Sequence, residues 1–428
     1  MRKSAAPTQS PEWSKDAWIY EVNIRQYTAE GSFNAFSTHL ERLQKMGIKI
    51  LWLMPIYPIG EKNRKGSLGS PYSIKDYRAI NPALGTKEDF NTLVLKVHQL
   101  GMYVILDWVA NHTSWDNALI TLHRDWYTHN DKGQIISPVA DWSDVAKLNY
   151  ANEDLRRYMM ESMAWWVEES DIDGFRCDMT EMVPAPFWTE TLHFVNRQKK
   201  DLFWLAESES PTMCDLGFHA TYSWKIHHAM NEVIKGTKSV KEYSTMLAEN
   251  HQGFSDHAYR MVFTSNHDEN SWQGTEYERL GEAAITFTVL NTLIPDMPLL
   301  YSGQEAMNNK RLKFFDKDEI NWTRIPLDSL YNLLIKLKKN KPILWNGSYG
   351  GNFEILPNNR EDKVLSFIRK KDGKQMVAIF NLSPQDHEII VGGNIDGFYY
   401  DLFTTEKVNI QREHTFKLHP WEYKILLQ

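Results

Sequence analysis

Gly174-Phe175-Arg176-Cys177-Asp178 is a short apolar run that ends on a carboxylate. Three other stretches are built alike: Val104-Ile105-Leu106-Asp107, running on to Asn111-His112; Leu202-Phe203-Trp204-Leu205-Ala206-Glu207; and Phe263-Thr264-Ser265-Asn266-His267-Asp268. A buried strand that empties onto a lone acid is costly unless the acid is used. Segments of helical period separate the four. Parallel strands whose polar ends meet over one pocket are the plan of a barrel enzyme.

Outward from these stretches the alternation continues. Phe36, Leu40, Leu43 and Met46 share one helical face, and Gly47 follows as a stop. Phe90, Leu93, Val94, Val97 and Leu100 form another face before Gly101, and Leu155, Met159, Met163 and Trp166 a third. Eight strands are expected near 19–24, 50–54, 103–107, 174–178, 202–206, 219–224, 259–263 and 297–301. The fold expected is therefore α/β, a (β/α)8 TIM barrel, with a doubly wound open sheet as the structural alternative. Residues 112–150 break the alternation with Pro, Gly, Asp and Trp and no sustained period, as a short inserted domain after the third strand. Beyond Pro342 short apolar runs separated by turn residues predict a C-terminal antiparallel β-sandwich domain. The expected boundaries are a tail over 1–15, the barrel over 16–111 and 151–341, the insertion over 112–150, and the β domain over 342–428.

The chain has 428 residues and a formal net charge of −7. Nucleic acid is not expected as a partner, since that binding rests on concentrated Lys and Arg. The 16 Trp residues read mostly as core filling, with stacking on sugar faces as the second use. Cys177 and Cys214 imply no disulfide framework, and Cys177 reads as a small core residue. No apolar stretch is long enough to span a membrane. Met1 to Lys15 is polar, with Pro7 and Pro11, and is not a signal peptide as it stands. It fits a cytoplasmic start or the stub left by a removed export signal; a secreted or periplasmic location is the expectation.

Carboxylates from the fourth, fifth and seventh strands, Asp178, Glu207 and Asp268, can meet over one space. Like charges held close do not all ionise, so one keeps its proton near neutral pH. Two carboxyls in different protonation states are what glycosidic cleavage uses. Arg176, two residues before Asp178 and on the same strand face, keeps Asp178 ionised as the nucleophile. Glu207 follows four apolar residues with no cation adjacent in sequence, which favours the neutral acid and so the proton donor. His112 and His267 offer hydrogen bonds to sugar hydroxyls, and Asp268 a hold on hydroxyls that tightens as the ring flattens. Each alone reads as an ordinary cap or core histidine; the set at converging strand ends does not.

At these residues the chain resembles the α-amylase family, glycoside hydrolase family 13, over nearly its whole length. Asp107 to His112, Gly174 to Asp178, Glu207, and Phe263 to Asp268 are similar to the family's four conserved regions. Gly47 to Pro55, Lys147-Leu148-Asn149 and Pro298 to Glu305 resemble subsidiary motifs, and Gly69-Ser-Pro-Tyr72 with Asp76-Tyr77 resembles the segment whose tyrosine stacks on the sugar being cleaved. The resemblance implies a retaining double displacement with Asp178 as nucleophile, Glu207 as acid/base, Asp268 as transition-state stabiliser, and Tyr72, Asp107, His112, Arg176 and His267 binding the sugar. It implies an α-glucan substrate, no cofactor for the chemistry, and a monomer. A structural calcium ion is the one metal expectation, with Asn111, Asp141 and Asp144 as candidate ligands. One departure stands out: Glu181 and Met182 occupy positions where many α-amylases carry Lys-His, which weakens the lysine contact and the calcium site. Endo-acting α-amylase activity is the leading expectation, because a short insertion leaves an open cleft. The alternatives are a cyclomaltodextrinase or neopullulanase type (toward which Lys147-Leu148-Asn149 leans), an exo-acting α-glucosidase, a transglycosylase, or, from another class, a non-catalytic carbohydrate-binding barrel.

Overall fold

A computed structural model describes residues 9–411 and 414–428. Residues 1–8, with Pro7 and the first half of the expected tail, lie outside the described residues. Eight parallel strands close a barrel in which each pairs with its neighbours in the chain and the first pairs with the eighth. They are Ile19–Val22, Ile50–Leu53, Tyr103–Trp108, Gly174–Cys177, Phe203–Ala206, Ala220–Tyr222, Tyr259–Val262 and Met297–Tyr301. All eight fall where the apolar runs predict them. The runs are nearly continuous because both faces of a barrel strand are covered.

Alternation along each strand decides what enters the barrel. Ile19, Trp52, Ile105, Phe203, Leu205 and Met261 fill its interior and are buried. The inward series then turns polar at the strands' C-terminal ends, at Glu21, Asp107, Arg176 and Glu207. Helices cover the outer face. Lys87–Gln99 starts from a capping box of Thr86 and Asp89 and buries Phe90, Leu93, Val94 and Val97. Glu153–Ser170 starts from Asn152, whose side chain accepts from the amides of Asp154 and Leu155. The first face read from sequence is split into two helices, Phe33–Ser37 and Leu40–Met46, and all four of its apolar residues are buried.

The insertion after the third strand is pinned by an antiparallel pair, His112–Ser114 with Val145–Lys147. At the opposite end of the barrel the polar start is not a free tail from residue 9 onward. Glu12–Ser14 forms a helical turn, and Trp13 stacks on Tyr103 with ring centroids 3.8 Å apart. The C-terminal part is a six-stranded antiparallel sheet facing the pair His387–Ile390 and Thr415–Leu418, with Val377, Ile379, Ile389, Tyr399 and Phe416 between. Its edge strands Asn352–Ile355 and Lys407–Ile410 escape the sequence reading, since each alternates with exposed residues and carries few apolar ones. Arg369, fully buried, joins this sheet to the barrel by donating to the carbonyls of Leu293 and Gly351, both at 3.1 Å. Among the described residues no helix is long and apolar enough to cross a membrane.

Candidate active site

The inward polar residues meet at the C-terminal mouth of the barrel, on Arg176. Its guanidinium is 1% exposed, and four groups share it. Nη1 donates to Asp107 Oδ1 at 2.9 Å and to Asp178 Oδ1 at 2.7 Å. Nη2 lies 2.9 Å from Glu207 Oε2. Nε donates to the Tyr222 hydroxyl at 3.1 Å. The planar fork thus fixes both candidate reacting carboxylates with one side chain. Just past Asp178 the backbone turns left-handed at Met179 (φ 44°), and the Met179 amide donates to Glu207 Oε2 at 2.8 Å.

No cation adjoins Glu207 in sequence, but Arg176 reaches it across from the neighbouring strand. The protonated state arises otherwise. Burial pushes Glu207 up, and the charges of Asp178 and Asp268 add to it against the pull of Arg176, to about 7. Asp178 is raised too, by burial and by Asp107, but direct bonding to Arg176 limits the rise to about 6. Arg176 therefore sets an order between the two acids instead of holding one fully ionised. Burial lowers His112 to about 4, so its imidazole is neutral at pH 7.

Tyr72 lies over this floor. Its hydroxyl donates to Asp107 Oδ2 at 3.0 Å and lies 3.0 Å from His267 Nε2. Its ring stacks against His267 at 5.4 Å and Phe314 at 6.2 Å. Asp107 has no exposed surface and also accepts from Trp52 Nε1 at 3.0 Å. Asp268 is the open member, with 37% of its side chain accessible. Asp178, Glu207, Asp268, Tyr72, His112 and His267 all line one cleft of about 550 Å³. All eight residues named from sequence come together here, Asp107 and Arg176 beneath the others.

Three loops meet beside Tyr72 and line the cleft. The loop after the second strand donates from the amides of Leu68 and Gly69 to the Phe315 carbonyl, at 2.9 and 3.1 Å, and from Ser67 to Asp316. From the same loop Lys65 reaches the inserted segment, 3.3 Å from Asp144 Oδ1 and bonded to the Asp141 carbonyl. Phe314 packs between Tyr72 and Phe315. Sequence periodicity gave no sign of this bridge, because it is made between loops.

Two of the three calcium candidates, Asn111 and Asp144, have partners within the protein. Asp144 faces the Lys65 ammonium, the Asn111 carbonyl accepts the Leu148 amide at 3.1 Å, and the Asn111 amide lies 3.2 Å from His112 Nδ1. Among the described residues no three His, Cys, Asp or Glu side chains are grouped to hold a metal. Where a lysine was missing, Glu181 accepts from Ser208 Oγ. Sequence reading also missed Glu21, Trp52 and Tyr222. Glu21 follows Ile19 with the same inward parity as Asp107 after Ile105, but it sits inside a strand-like stretch that runs on to Ile24, not at its end.

A family model described as alpha amylase, catalytic domain, matches residues 9–348, and one described as alpha amylase, C-terminal all-beta domain, matches residues 355–425. Alpha-amylase MalA of Haloarcula japonica is 25% identical to the chain over 411 residues, covering 91% of this chain and 59% of that protein. An intracellular maltogenic amylase of Bacillus subtilis is 24% identical over 413 residues, covering 89% and 66%. The chain therefore spans 59% and 66% of the lengths of these two curated relatives. The structure of the maltogenic alpha-amylase AmyB from Thermotoga neapolitana superimposes with a TM-score of 0.88 at 29% identity, covering 97% of this chain and 99% of that one.

Proposed function

This chain belongs to the α-amylase family of glycoside hydrolases, and on that premise we propose that it cleaves α-1,4-glucosidic bonds of maltodextrins by a retaining double displacement at Asp178 and Glu207. The observation that carries the reading is the single guanidinium shared by both carboxylates, hydrogen-bonded to Asp178 and ion-paired with Glu207. That shared fork favours the close spacing of a retaining pair, about 5–5.5 Å, over the wider gap of an inverting one. Asp178, the lower of the two acids, attacks the anomeric carbon, while Glu207 gives its proton to the departing oxygen. Glu207 then takes a proton from water, which displaces the sugar from Asp178. Asp268 and His267 hold hydroxyls of the sugar as its ring flattens, and Tyr72 packs on its face. No cofactor enters any of these steps. The site is complete within one chain, which supports action as a monomer.

On the size of the product the loop bridge outweighs the short insertion. It lines the same cleft as Tyr72, Asp178 and Glu207, through Lys65, Phe314 and Phe315. Loops bridged across one cleft narrow the room for glucosyl units beyond the reacting one. That narrowing supports release of short sugars from the non-reducing chain end, the exo or maltogenic alternative, over the endo cleavage expected from sequence. A maltogenic name among the relatives agrees. The same relative is named intracellular, which favours a cytoplasmic setting over export. Chromatography of the first products from maltoheptaose labelled at its reducing end tests the reading. Unlabelled glucose or maltose with a labelled remainder is expected from the first minutes. An early spread of labelled and unlabelled fragments of all lengths would restore the endo reading, and no cleavage at all would remove the hydrolase assignment.

A further inference from the structure

His267 sits between acceptors on both sides of its ring. Nδ1 is 2.5 Å from Glu21 Oε1. Nε2 is 3.0 Å from the Tyr72 oxygen, whose own hydrogen is given to Asp107, and 3.3 Å from Asp268 Oδ2. A neutral imidazole has one N–H and one lone pair. With the Tyr72 hydrogen on Asp107, Nδ1 and Nε2 both face acceptors, an arrangement that a doubly protonated ring satisfies and a neutral one does not.

Glu21 is the unusual member of this arrangement. It comes from the first strand, has no exposed surface, and its Oε2 has no hydrogen-bond partner among the described residues. A half-satisfied buried carboxylate is among the costliest groups a core can hold unless a charge answers it. A neutral amide would fill the same space. The charge that answers Glu21 is His267.

We propose that Glu21 is a positioning residue that keeps His267 a permanent imidazolium, so that the ring presents a charge-assisted donor to a hydroxyl of the bound sugar. The groups facing the ring are Glu21 from the first strand, Tyr72 from the loop after the second, Asp107 through Tyr72 from the third, Arg176 from the fourth, and Asp268 beside it. Among these the acids outweigh Arg176. Burial pushes His267 down, and Asp268 and Glu21 more than reverse it, to about 9. A fixed positive ring also offsets the crowding of Asp107, Asp178, Glu207 and Asp268 at the barrel mouth. The inference deepens the hydrolase reading but does not stand or fall with it, since the ring's protonation is observable without turnover.

The test is a ¹⁵N nuclear magnetic resonance titration of histidine-labelled full-length protein, with His267 assigned by its loss in His267→Gln. In the parent both ring nitrogens are expected at imidazolium shifts at pH 8; a neutral ring at pH 8 overturns the proposal without recourse to any further variant. In Glu21→Gln the His267 ring is expected to lose its proton at a pH about two units lower; an unchanged titration overturns it. The kinetic arm uses α-glucosyl fluoride, whose leaving group needs no proton from Glu207. Between pH 6 and pH 8 the variant's kcat/KM is expected to fall about tenfold more than the parent's, with Glu21→Asp recovering part of the loss. Equal slowing at every pH would mark Glu21 as structural only. Failure of both proteins to turn over the fluoride would count against the hydrolase reading, with the titration still deciding the present one.

Discussion

Arg176 touches Asp107, Asp178, Glu207 and Tyr222 at once, so the chemistry of each carboxyl depends on how much of the fork it receives. Asp178 and Glu207, raised by burial to about 6 and about 7, must differ in protonation for the first step to run. The active form has Asp178 ionised and Glu207 protonated. Activity rises with pH as Asp178 loses its proton and falls as Glu207 does, and the apparent values belong to the pair. A bell-shaped profile of kcat/KM on maltodextrins with its maximum between about 6 and about 7 is expected. Glu207→Gln should cost about 10²–10⁴-fold on maltodextrins and much less on activated aryl glycosides, and should lose the alkaline limb. Retention of that limb would assign it to another group. Six of the eight residues named from sequence were legible because each closes or follows an apolar run at a strand end; Arg176 was legible from its spacing to Asp178, and Tyr72 from family likeness. Glu21 was not, because it sits inside a strand-like stretch, not at its end. The cation beside Glu207 was not, because it arrives from another strand and sequence adjacency is blind to that.

The fourth and fifth strands carry both reacting acids, and their contact depends on Gly174. With φ at 150°, Gly174 lies so close to the fifth strand that an added Cβ would sit 1.9 Å from the Phe203 carbonyl oxygen. Neither strand can move aside without displacing Asp178 or Glu207. Gly174→Ala is therefore expected to cost at least about 3 kcal/mol and to remove activity, read as a drop in urea midpoint together with kcat. A variant with parent stability would show that the strands can part freely. Strands were the best-read elements, since a run buried on both faces has no polar interruption. The edges Asn352–Ile355 and Lys407–Ile410 were lost because a half-exposed strand spends alternate positions on polar residues. The helix break at Thr38 and His39 was lost because both halves keep the same apolar face. The loop bridge of Lys65, Leu68, Gly69 and Phe315 has no period at all.

Across the whole molecule, the active site draws on all eight strands or the loops after them, so its geometry is the geometry of barrel closure. The helical turn with Trp13 stacked on Tyr103 covers the far end. The C-terminal sheet braces the barrel's outside through Arg369 and through the Thr286 hydroxyl, which donates to the Trp421 carbonyl at 2.6 Å. Neither support reaches the reacting groups, which leaves the mouth free for substrate. What the molecule is proposed to do then reduces to one covalent event at the centre of that mouth. A glucosyl donor with a fluoride leaving group forms the bond to Asp178 without help from Glu207, and Glu207→Gln removes the base that would release it, so the adduct should accumulate. Mass spectrometry of Glu207→Gln after exposure to α-glucosyl fluoride, followed by peptide mapping, is expected to show one added glucosyl unit on Asp178. An adduct on Asp268 or any other side chain, or release of product with no adduct and inverted configuration, would contradict the account.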